Sequence, residues 1–172
     1  MRINVVGTSG SGKSTFSKRI AKKLNIPYIE LDSLFWKANW IESTDEEFFP
    51  KVKESIAGES WILDGNYSRT KDIKWERVQM VVFLDLPFHI VLYRIISRSL
   101  IRGYKRQELW SGNKESLWWT LFTRESMIWY VIKTFYRNRK RYTGLFNSTD
   151  SSQIQFIRLR SKKDVEDFIL RL

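Results

Sequence analysis

The sequence predicts an α/β fold in which a parallel β-sheet carries helices on both faces. Two observations support this prediction. A glycine-rich segment, Gly7–Thr15, lies between a short apolar run and a helical pattern near the N-terminus. Further along, short apolar runs alternate with segments of helical periodicity, which is typical of parallel strands joined by crossover helices. The 172 residues fit a single domain, 1–172.

Each element has its own local signal. Five apolar runs read as strands, namely Ile3–Val6, Tyr28–Leu31, Trp61–Leu63, Met80–Leu84 and Ile154–Leu159. Helical patterns separate them, at Lys13–Leu24, from Thr44 towards Ala57, from Pro87 to about Ile101, over Lys114–Tyr136, and from Ser161 onward. The Thr44-Asp45-Glu46-Glu47 segment is a capping box that fixes one helix start. In such sheets ligands bind at the carboxyl ends of the strands.

Composition excludes several classes of site. The chain has no Cys, so disulfides, thiolate zinc sites and thiol nucleophiles are excluded. Its longest uncharged apolar run, Met127–Ile132, is too short to cross a bilayer, and the sequence predicts a cytoplasmic protein without membrane contact. The net charge is +11, and the stretch from Arg94 to Arg141, with twelve Lys or Arg and three Glu, supplies +9 of it. Such a field attracts nucleoside triphosphates, phosphorylated substrates and nucleic acid alike.

The glycine-rich segment has the pattern of a P-loop. Its glycines permit a tight turn whose backbone N–H groups face phosphate oxygens, while the lysine reaches the outer phosphates and the following serine can ligate Mg²⁺. The predicted cofactors are therefore ATP and Mg²⁺. The predicted nucleotide-binding residues here are Gly7, Ser9, Gly10, Ser11, Gly12, Lys13, Ser14 and Thr15.

Acidic residues follow the second, third and fourth predicted strands. Asp64 is predicted to hold Mg²⁺ or its waters together with Ser14, although an Asp-Gly pair is also ordinary turn chemistry. Asp85 precedes Leu86-Pro87 and is better explained as a helix cap. Asp32 lies before Trp36 and is predicted to accept the proton of a hydroxyl acceptor; a turn Asp beside core aromatics is the alternative.

Basic residues form two clusters. Arg94, Arg98 and Arg102 share one helix face, where they can neutralise a transferring phosphoryl group or simply face solvent. A polar, basic flap is predicted at about residues 103–113, mobile until phosphate binds. The stretch from Lys133 to Arg141 is a second cluster that interleaves cations with aromatic side chains and is predicted to bind DNA weakly at low salt, without sequence preference.

With these motifs the chain resembles the adenylate-kinase-like group of P-loop kinases, and within it the DNA topology modulation (FlaR-type) proteins. The resemblance rests on Gly7–Thr15, Leu31–Trp36 with Asn39-Trp40, Trp61–Tyr67, Phe83–Pro87, Arg94 and Arg98, Trp110–Ser116 and Arg137–Tyr142. It implies a five-stranded parallel sheet of order 2-3-1-4-5 and a lid over the nucleotide. It also implies that Arg137 and Arg139 lie beside the arginines of the flap, at the nucleotide.

The acceptor side is less closely defined. Asp32 is expected to contact the acceptor, with Trp36, Asn66, Tyr67 and Arg69 completing the pocket. Adenylate kinases continue their third strand with Asp-Gly-Phe-Pro-Arg, of which this chain keeps only Asp64-Gly65, so an AMP acceptor is not specifically predicted. Two hypotheses result. The first is an ATP- and Mg²⁺-dependent kinase of a nucleotide or small metabolite, with Lys13, Asp32, Arg94 and Arg98 as catalytic residues. The second is a nucleotide-regulated DNA-associated protein without turnover.

Overall fold

The computed structural model describes residues 1–105, 108–113, 126–147 and 154–172. Five strands form one sheet: β1 (Arg2–Gly7), β2 (Tyr28–Glu30), β3 (Trp61–Asp64), β4 (Met80–Leu84) and β5 (Gln155–Leu159). Their order is β2-β3-β1-β4-β5 and every neighbouring pair is parallel, so the predicted sheet is confirmed.

Seven α-helices are described: α1 (Lys13–Leu24), α2 (Leu31–Phe35), α3 (Asp45–Ser55), α4 (Lys71–Trp75), α5 (Phe88–Lys105), α6 (Met127–Asn147) and α7 (Lys162–Arg171). The predicted capping box begins α3, because Glu47 N–H donates to Thr44 Oγ1 and Thr44 N–H donates to Glu47 Oε2. A second box, Ser161 with Asp164, begins α7. Within the described ranges, no helix is both long and apolar enough to span a lipid bilayer.

The sheet separates two apolar layers. On one face Ile3, Val5 and Val82 pack with Phe16 and Ile20 of α1 and with residues of α7. On the other face the strands pack against α2 to α4, with Phe48 and Val52 of α3 fully buried. Continuous burial along β3 and β4 explains why Trp61–Leu63 and Met80–Leu84 are apolar at every position rather than at alternate ones. A third cluster joins α5 to α6.

The predicted flap is divided differently from the expectation. Helix α5 continues to Lys105 rather than stopping near Ile101, so residues 103–105 are helical. Residues 108–113 pack on the 3₁₀ turn Ala38–Trp40. Residues 106–107, and residues 114–125 of the predicted aromatic helix, lie outside the described ranges.

Candidate functional site

The glycine loop connects the end of β1 to the start of α1. Ser11 N–H donates to the Thr8 carbonyl at 3.0 Å, which closes the turn. Gly12 has a φ of 96° and precedes Lys13, the first residue of α1. A side chain at position 12 would be strained in this left-handed conformation. The unpaired N–H groups of the first helical turn face the loop and form an anion-binding end.

Two arginines of α5 contact this loop. Arg94 Nη1 donates to the Ser11 carbonyl at 3.1 Å, and Arg98 Nη2 donates to Ser9 Oγ at 3.1 Å. Arg102 lines the same cleft one turn further along α5. The spacing of four residues therefore brings three guanidinium groups to one side of the loop.

Asp64 ends β3 beside the loop, and its carboxylate is nearly fully buried. Tyr28 Oη donates to Asp64 Oδ2 at 3.2 Å, while Oδ1 is buried without a hydrogen-bond partner. Burial raises the pKa of Asp64, and Lys13 and Ser14 oppose the rise. An unsatisfied oxygen of a buried carboxylate is costly unless a cation or water satisfies it. Asp64 and Ser14 therefore fit a Mg²⁺ ion held partly by phosphates and water.

Lys13 lines the same cleft as two acidic groups, Asp64 and Asp32. Its Nζ donates to the Thr8 carbonyl at 3.3 Å. Burial lowers the pKa of Lys13, and the nearby carboxylates of Asp64 and Asp32 work in the opposite direction. The same lysine is thus in electrostatic contact with the candidate metal ligand and with the candidate base.

Asp32 lies in the first turn of α2, directly after β2. Tyr67 Oη donates to Asp32 Oδ1 at 2.7 Å. Burial, followed by the Asp32 charge, raises the pKa of Tyr67, so the phenol stays a donor. This bond fixes the orientation of the carboxylate towards the cleft, which both side chains line.

Asn66, predicted as a substrate residue, is engaged by the loop. Gly7 N–H donates to Asn66 Oδ1 at 3.0 Å, and Asn66 Nδ2 donates to the Gly7 carbonyl at 2.8 Å. Both ends of the amide are therefore used. The carbonyls of Asn66 and Tyr67 accept hydrogen bonds from Lys74 Nζ at 2.6 and 3.4 Å. Lys74 is 1% exposed, and burial lowers its pKa to about 7.

Three predicted arginines are placed away from the cleft. Arg69 forms an ion pair with Asp45 at 2.8 Å, and its guanidinium lies 4.8 Å from the centre of the Phe35 ring. Arg139 Nε lies 3.0 Å from Asp85 Oδ1, and Arg137 does not line the cleft. Asp85, interpreted from the sequence as a helix cap, lies three residues before α5 and accepts hydrogen bonds from Arg158 at 2.9 and 2.6 Å.

The α6 residues that do line the cleft are Asn138, Arg141 and Tyr142. They are spaced by three and four residues, which is one helix face, whereas Arg137 and Arg139 flank it. The placement of Arg137 and Arg139 on α6 therefore differs from the expectation by helical phase. The basic run is at the cleft, but Arg141 rather than its neighbours faces it.

Segment 108–113 is hydrogen-bonded to residues 36, 37 and 40, on the aromatic side of the cleft. Asn113 is 5% exposed; its Oδ1 accepts from Trp40 N–H at 2.9 Å and its Nδ2 donates to the Lys37 carbonyl at 2.8 Å. Ser111 Oγ donates to the Trp36 carbonyl at 2.8 Å. These bonds show that the described part of the predicted flap has a defined docking position.

Glu30 and Trp110 are site residues that the sequence analysis missed. Both line the cleft. Burial raises the pKa of Glu30, and its interaction with the Trp110 indole opposes the rise. Glu30 is the last residue of β2 and pairs in register with Asp64. Its place at a strand end was the available signal, whereas the contact with Trp110, eighty positions later, gives no local pattern.

The cleft between these groups has a volume of about 1860 Å³. A pocket for one small ligand measures roughly 300–1,000 Å³. The cleft therefore has room for two ligands, one on the loop beside Lys13 and one on the aromatic side beside Asp32.

The sequence matches the AAA domain family over residues 3–116, which include the glycine loop, Asp32, Asp64 and the arginines of α5. The chain belongs to the AAA domain family. A bifunctional pantoate ligase/cytidylate kinase from Prochlorococcus marinus (strain MIT 9301) is 25% identical over 182 residues, covering 96% of this chain. That alignment covers 35% of the relative, so this AAA domain protein spans about a third of its length.

Two solved structures share the fold of this AAA domain. Shikimate kinase from Bacteroides thetaiotaomicron has a TM-score of 0.59 at 16% identity, with 99% of this chain and 95% of that chain covered. A gluconokinase from Sinorhizobium meliloti 1021 has a TM-score of 0.53 at 17% identity, with 99% and 91% covered. The fold is therefore that of P-loop kinase-like proteins, in agreement with the predicted adenylate-kinase-like class.

Proposed function

We propose that this AAA domain is an ATP- and Mg²⁺-dependent phosphotransferase that acts on a hydroxyl group of a small molecule or nucleotide. One observation carries the proposal. Two carboxylates, Asp32 and Asp64, line the same cleft as Lys13 of the glycine loop, and Tyr67 holds Asp32 in place through a 2.7 Å hydrogen bond. A protein that only binds nucleotide needs a metal ligand such as Asp64, but it does not need a second, oriented carboxylate such as Asp32.

The loop side would hold ATP. The N–H groups of the loop and of the first turn of α1 bind the phosphates, and Lys13 reaches the outer ones. Arg94 and Arg98 contact the loop within 3.1 Å, so they lie next to the bound phosphates and stabilise charge on the transferring group. Ser14 and Asp64 would hold Mg²⁺, which when bound neutralises phosphate charge.

The aromatic side would hold the acceptor, with Trp36 as part of its wall. The hydroxyl oxygen of the acceptor bonds to the γ-phosphorus of ATP, and the bond from that phosphorus to the β-phosphate oxygen breaks. The electron pair leaves with ADP, and the hydroxyl proton passes to the Asp32 carboxylate. Tyr67 keeps this carboxylate in place through its 2.7 Å hydrogen bond. Asn66, which also lines the cleft, positions the loop through its two hydrogen bonds to Gly7.

A screen of nucleotides and metabolites for acceptor-dependent ADP release tests this function, with Asp32→Asn as the diagnostic variant. The substitution removes the proton acceptor but keeps a partner for Tyr67. We expect a loss of turnover of about 100-fold or more with ATP affinity within about twofold. Asp72→Asn, at an exposed position of α4, is the matched control. A parallel loss of ATP affinity in Asp32→Asn would place Asp32 in the nucleotide site instead.

The resemblance to DNA topology modulation proteins supports a second candidate, direct association with DNA. The basic residues of α6 support it, but Arg139 is paired with Asp85 and Arg141 lines the cleft. We expect binding that weakens steeply with salt and competes with ATP. Salt-resistant, sequence-preferring binding that ignores ATP would favour a regulatory role over phosphotransfer.

A further inference from the structure

Residues 108–113, here called the docked segment, contact the loop that follows α2. The Asn113 side chain makes the two central bonds, because its Oδ1 accepts from Trp40 N–H at 2.9 Å and its Nδ2 donates to the Lys37 carbonyl at 2.8 Å. The partners lie 73 and 76 positions earlier in the chain. Since Asn113 is buried, loss of either partner would leave a polar group unpaired away from water.

Both sides of this contact contain residues with a left-handed backbone. The φ angle is 59° at Asn39, 57° at Trp40 and 56° at Ser111. This conformation is costly for a residue as bulky as tryptophan, and it persists where surrounding contacts hold it, typically at ligand clamps and switch regions. Here the bonds of Asn113 hold it, together with a bond from Ser111 Oγ to the Trp36 carbonyl at 2.8 Å.

The contact places Trp110 on the aromatic side of the cleft. Trp110 lines the cleft, and its ring centroid lies 6.4 Å from that of Trp40. Trp40 lies 5.6 Å from Trp36. Contacts of 5.1 and 4.9 Å through one further ring lead from Trp36 to Tyr67, which hydrogen-bonds Asp32. A continuous row of rings therefore connects the docked segment with the candidate base.

The Trp110 indole also hydrogen-bonds a carboxylate of this side. Its partner is Glu30, the last residue of β2, two positions before Asp32. Trp110 is thus turned towards the strand end at which the acceptor hydroxyl would react. The glycine loop has different partners, since Arg94 and Arg98 contact it at 3.1 Å.

We infer that Trp110 is a specificity-determining residue of the acceptor pocket and that Asn113 is the positioning residue that holds it there. The inference rests on the proposed phosphotransfer, because it concerns the acceptor of that reaction. It assigns the docked segment to acceptor recognition, whereas the flap expected from the sequence was to respond to the nucleotide. Removal of the ring leaves the pocket without one wall, and removal of the Asn113 amide releases the segment that carries the ring.

Calorimetric titration with a non-hydrolysable ATP analogue and Mg²⁺ tests this assignment without turnover. We expect Trp110→Ala and Asn113→Ala to bind the analogue within about twofold of wild type, because neither side chain contacts the glycine loop. Arg98→Ala is the positive control and should bind it about tenfold more weakly, since Arg98 contacts the loop at 3.1 Å. A comparable loss in Trp110→Ala and Asn113→Ala would make the segment a nucleotide lid and overturn the assignment.

Acceptor-dependent ADP release is then measured with AMP, CMP, gluconate and shikimate. For a compound that stimulates the wild type, its KM should rise about tenfold in both variants while kcat stays within about threefold, because binding rather than chemistry is lost. Gln79→Ala and Trp129→Ala are the controls and should leave KM unchanged. Gln79 accepts from Arg2 N–H at 3.0 Å, Trp129 is exposed on α6, and neither side chain lines the cleft.

The outcomes separate the two proposals. Stimulated release with an unchanged KM in Trp110→Ala and Asn113→Ala, or with an equal rise in the controls, overturns the inference and leaves phosphotransfer standing. If no compound stimulates the wild type, phosphotransfer to these acceptors fails, and calorimetric titration of the same four compounds into the protein with ADP and Mg²⁺ decides the recognition. Binding that weakens about tenfold in both variants supports the inference. Binding that the variants leave unchanged, or no binding to the wild type, refutes it.

Discussion

The buried amine of Lys74, which hydrogen-bonds the Asn66–Tyr67 turn, allows a quantitative test through the pH dependence of stability. Its Nζ donates to the carbonyls of both residues, and the side chain is 1% exposed. Burial lowers the pKa of Lys74 to about 7, whereas in an unfolded chain the pKa of this lysine would be about 10.4. Between those values the unfolded state holds more protons, so the contribution of Lys74 makes stability rise with pH.

The expected size follows from the same two pKa values. Full titration of one proton corresponds to about 1.4 kcal/mol per pH unit, and the unfolding free energy should gain about 2 kcal/mol between pH 7 and pH 9 from this group alone. Well below pH 7 both states are protonated and the gain disappears. Lys74→Met replaces the apolar stem of the lysine with one of similar length and removes the titratable amine.

Urea unfolding at pH 7, 8 and 9 measures this effect as the difference between wild type and Lys74→Met. Lys71→Met, on the same helix with its ammonium over the Trp75 ring, is the control for removing a lysine from this helix. A wild-type minus Lys74→Met difference that stays constant from pH 7 to pH 9 would refute the assignment of the lowered pKa to this lysine.

Three further predictions concern the loop, a strand end and the docked segment. Lys13→Ala should lower ATP turnover by about 100-fold or more while circular dichroism stays unchanged, because Lys13 Nζ bonds to the Thr8 carbonyl of the loop, from which it would reach bound phosphate. Gly65→Ala should lower the unfolding free energy, measured in urea, by about 2 kcal/mol or more, because φ is 145° and a Cβ would lie 2.8 Å from the Cβ of Leu31. Gly58→Ala is the control and should lower it much less, because the nearest atom to a Cβ there is 3.9 Å away. Asn113→Ala should increase amide hydrogen exchange across residues 108–113, and an ATP analogue should restore protection in the wild type more than in the variant.

The sheet and the position of Asp64 beside the glycine loop could be predicted because their signals are local. A strand–glycine-loop–helix pattern fixes the position of Lys13, and residues that follow parallel strands meet at one edge, which brings Asp32 and Asp64 together. Neither prediction needs a side-chain rotamer or a long-range contact. The strand order came from the resemblance rather than from periodicity.

The remaining features depend on information that a local pattern does not contain. Arg139 and Arg141 differ only in helical phase, and the residues that fix the phase of α6 lie on another helix. Lys74 stands between apolar residues in a short amphipathic helix, where a lysine is ordinarily solvent-exposed. Its burial follows from the carbonyls of a turn seven and eight residues earlier.

Asn66 and Tyr67 are consecutive in the chain, yet their side chains bond to opposite halves of the cleft. Asn66 holds Gly7 at the start of the loop, and Tyr67 holds Asp32. A shift of the loop towards bound phosphate would displace Asn66, and through the peptide bond that joins the two residues it would displace Tyr67 and its partner Asp32. Occupancy of the two halves is then thermodynamically linked, and any factor by which ATP tightens acceptor binding must equal the factor by which the acceptor tightens ATP binding. Asn66→Ala would remove the bond between this residue and the loop, and the two ligands should then bind independently of each other.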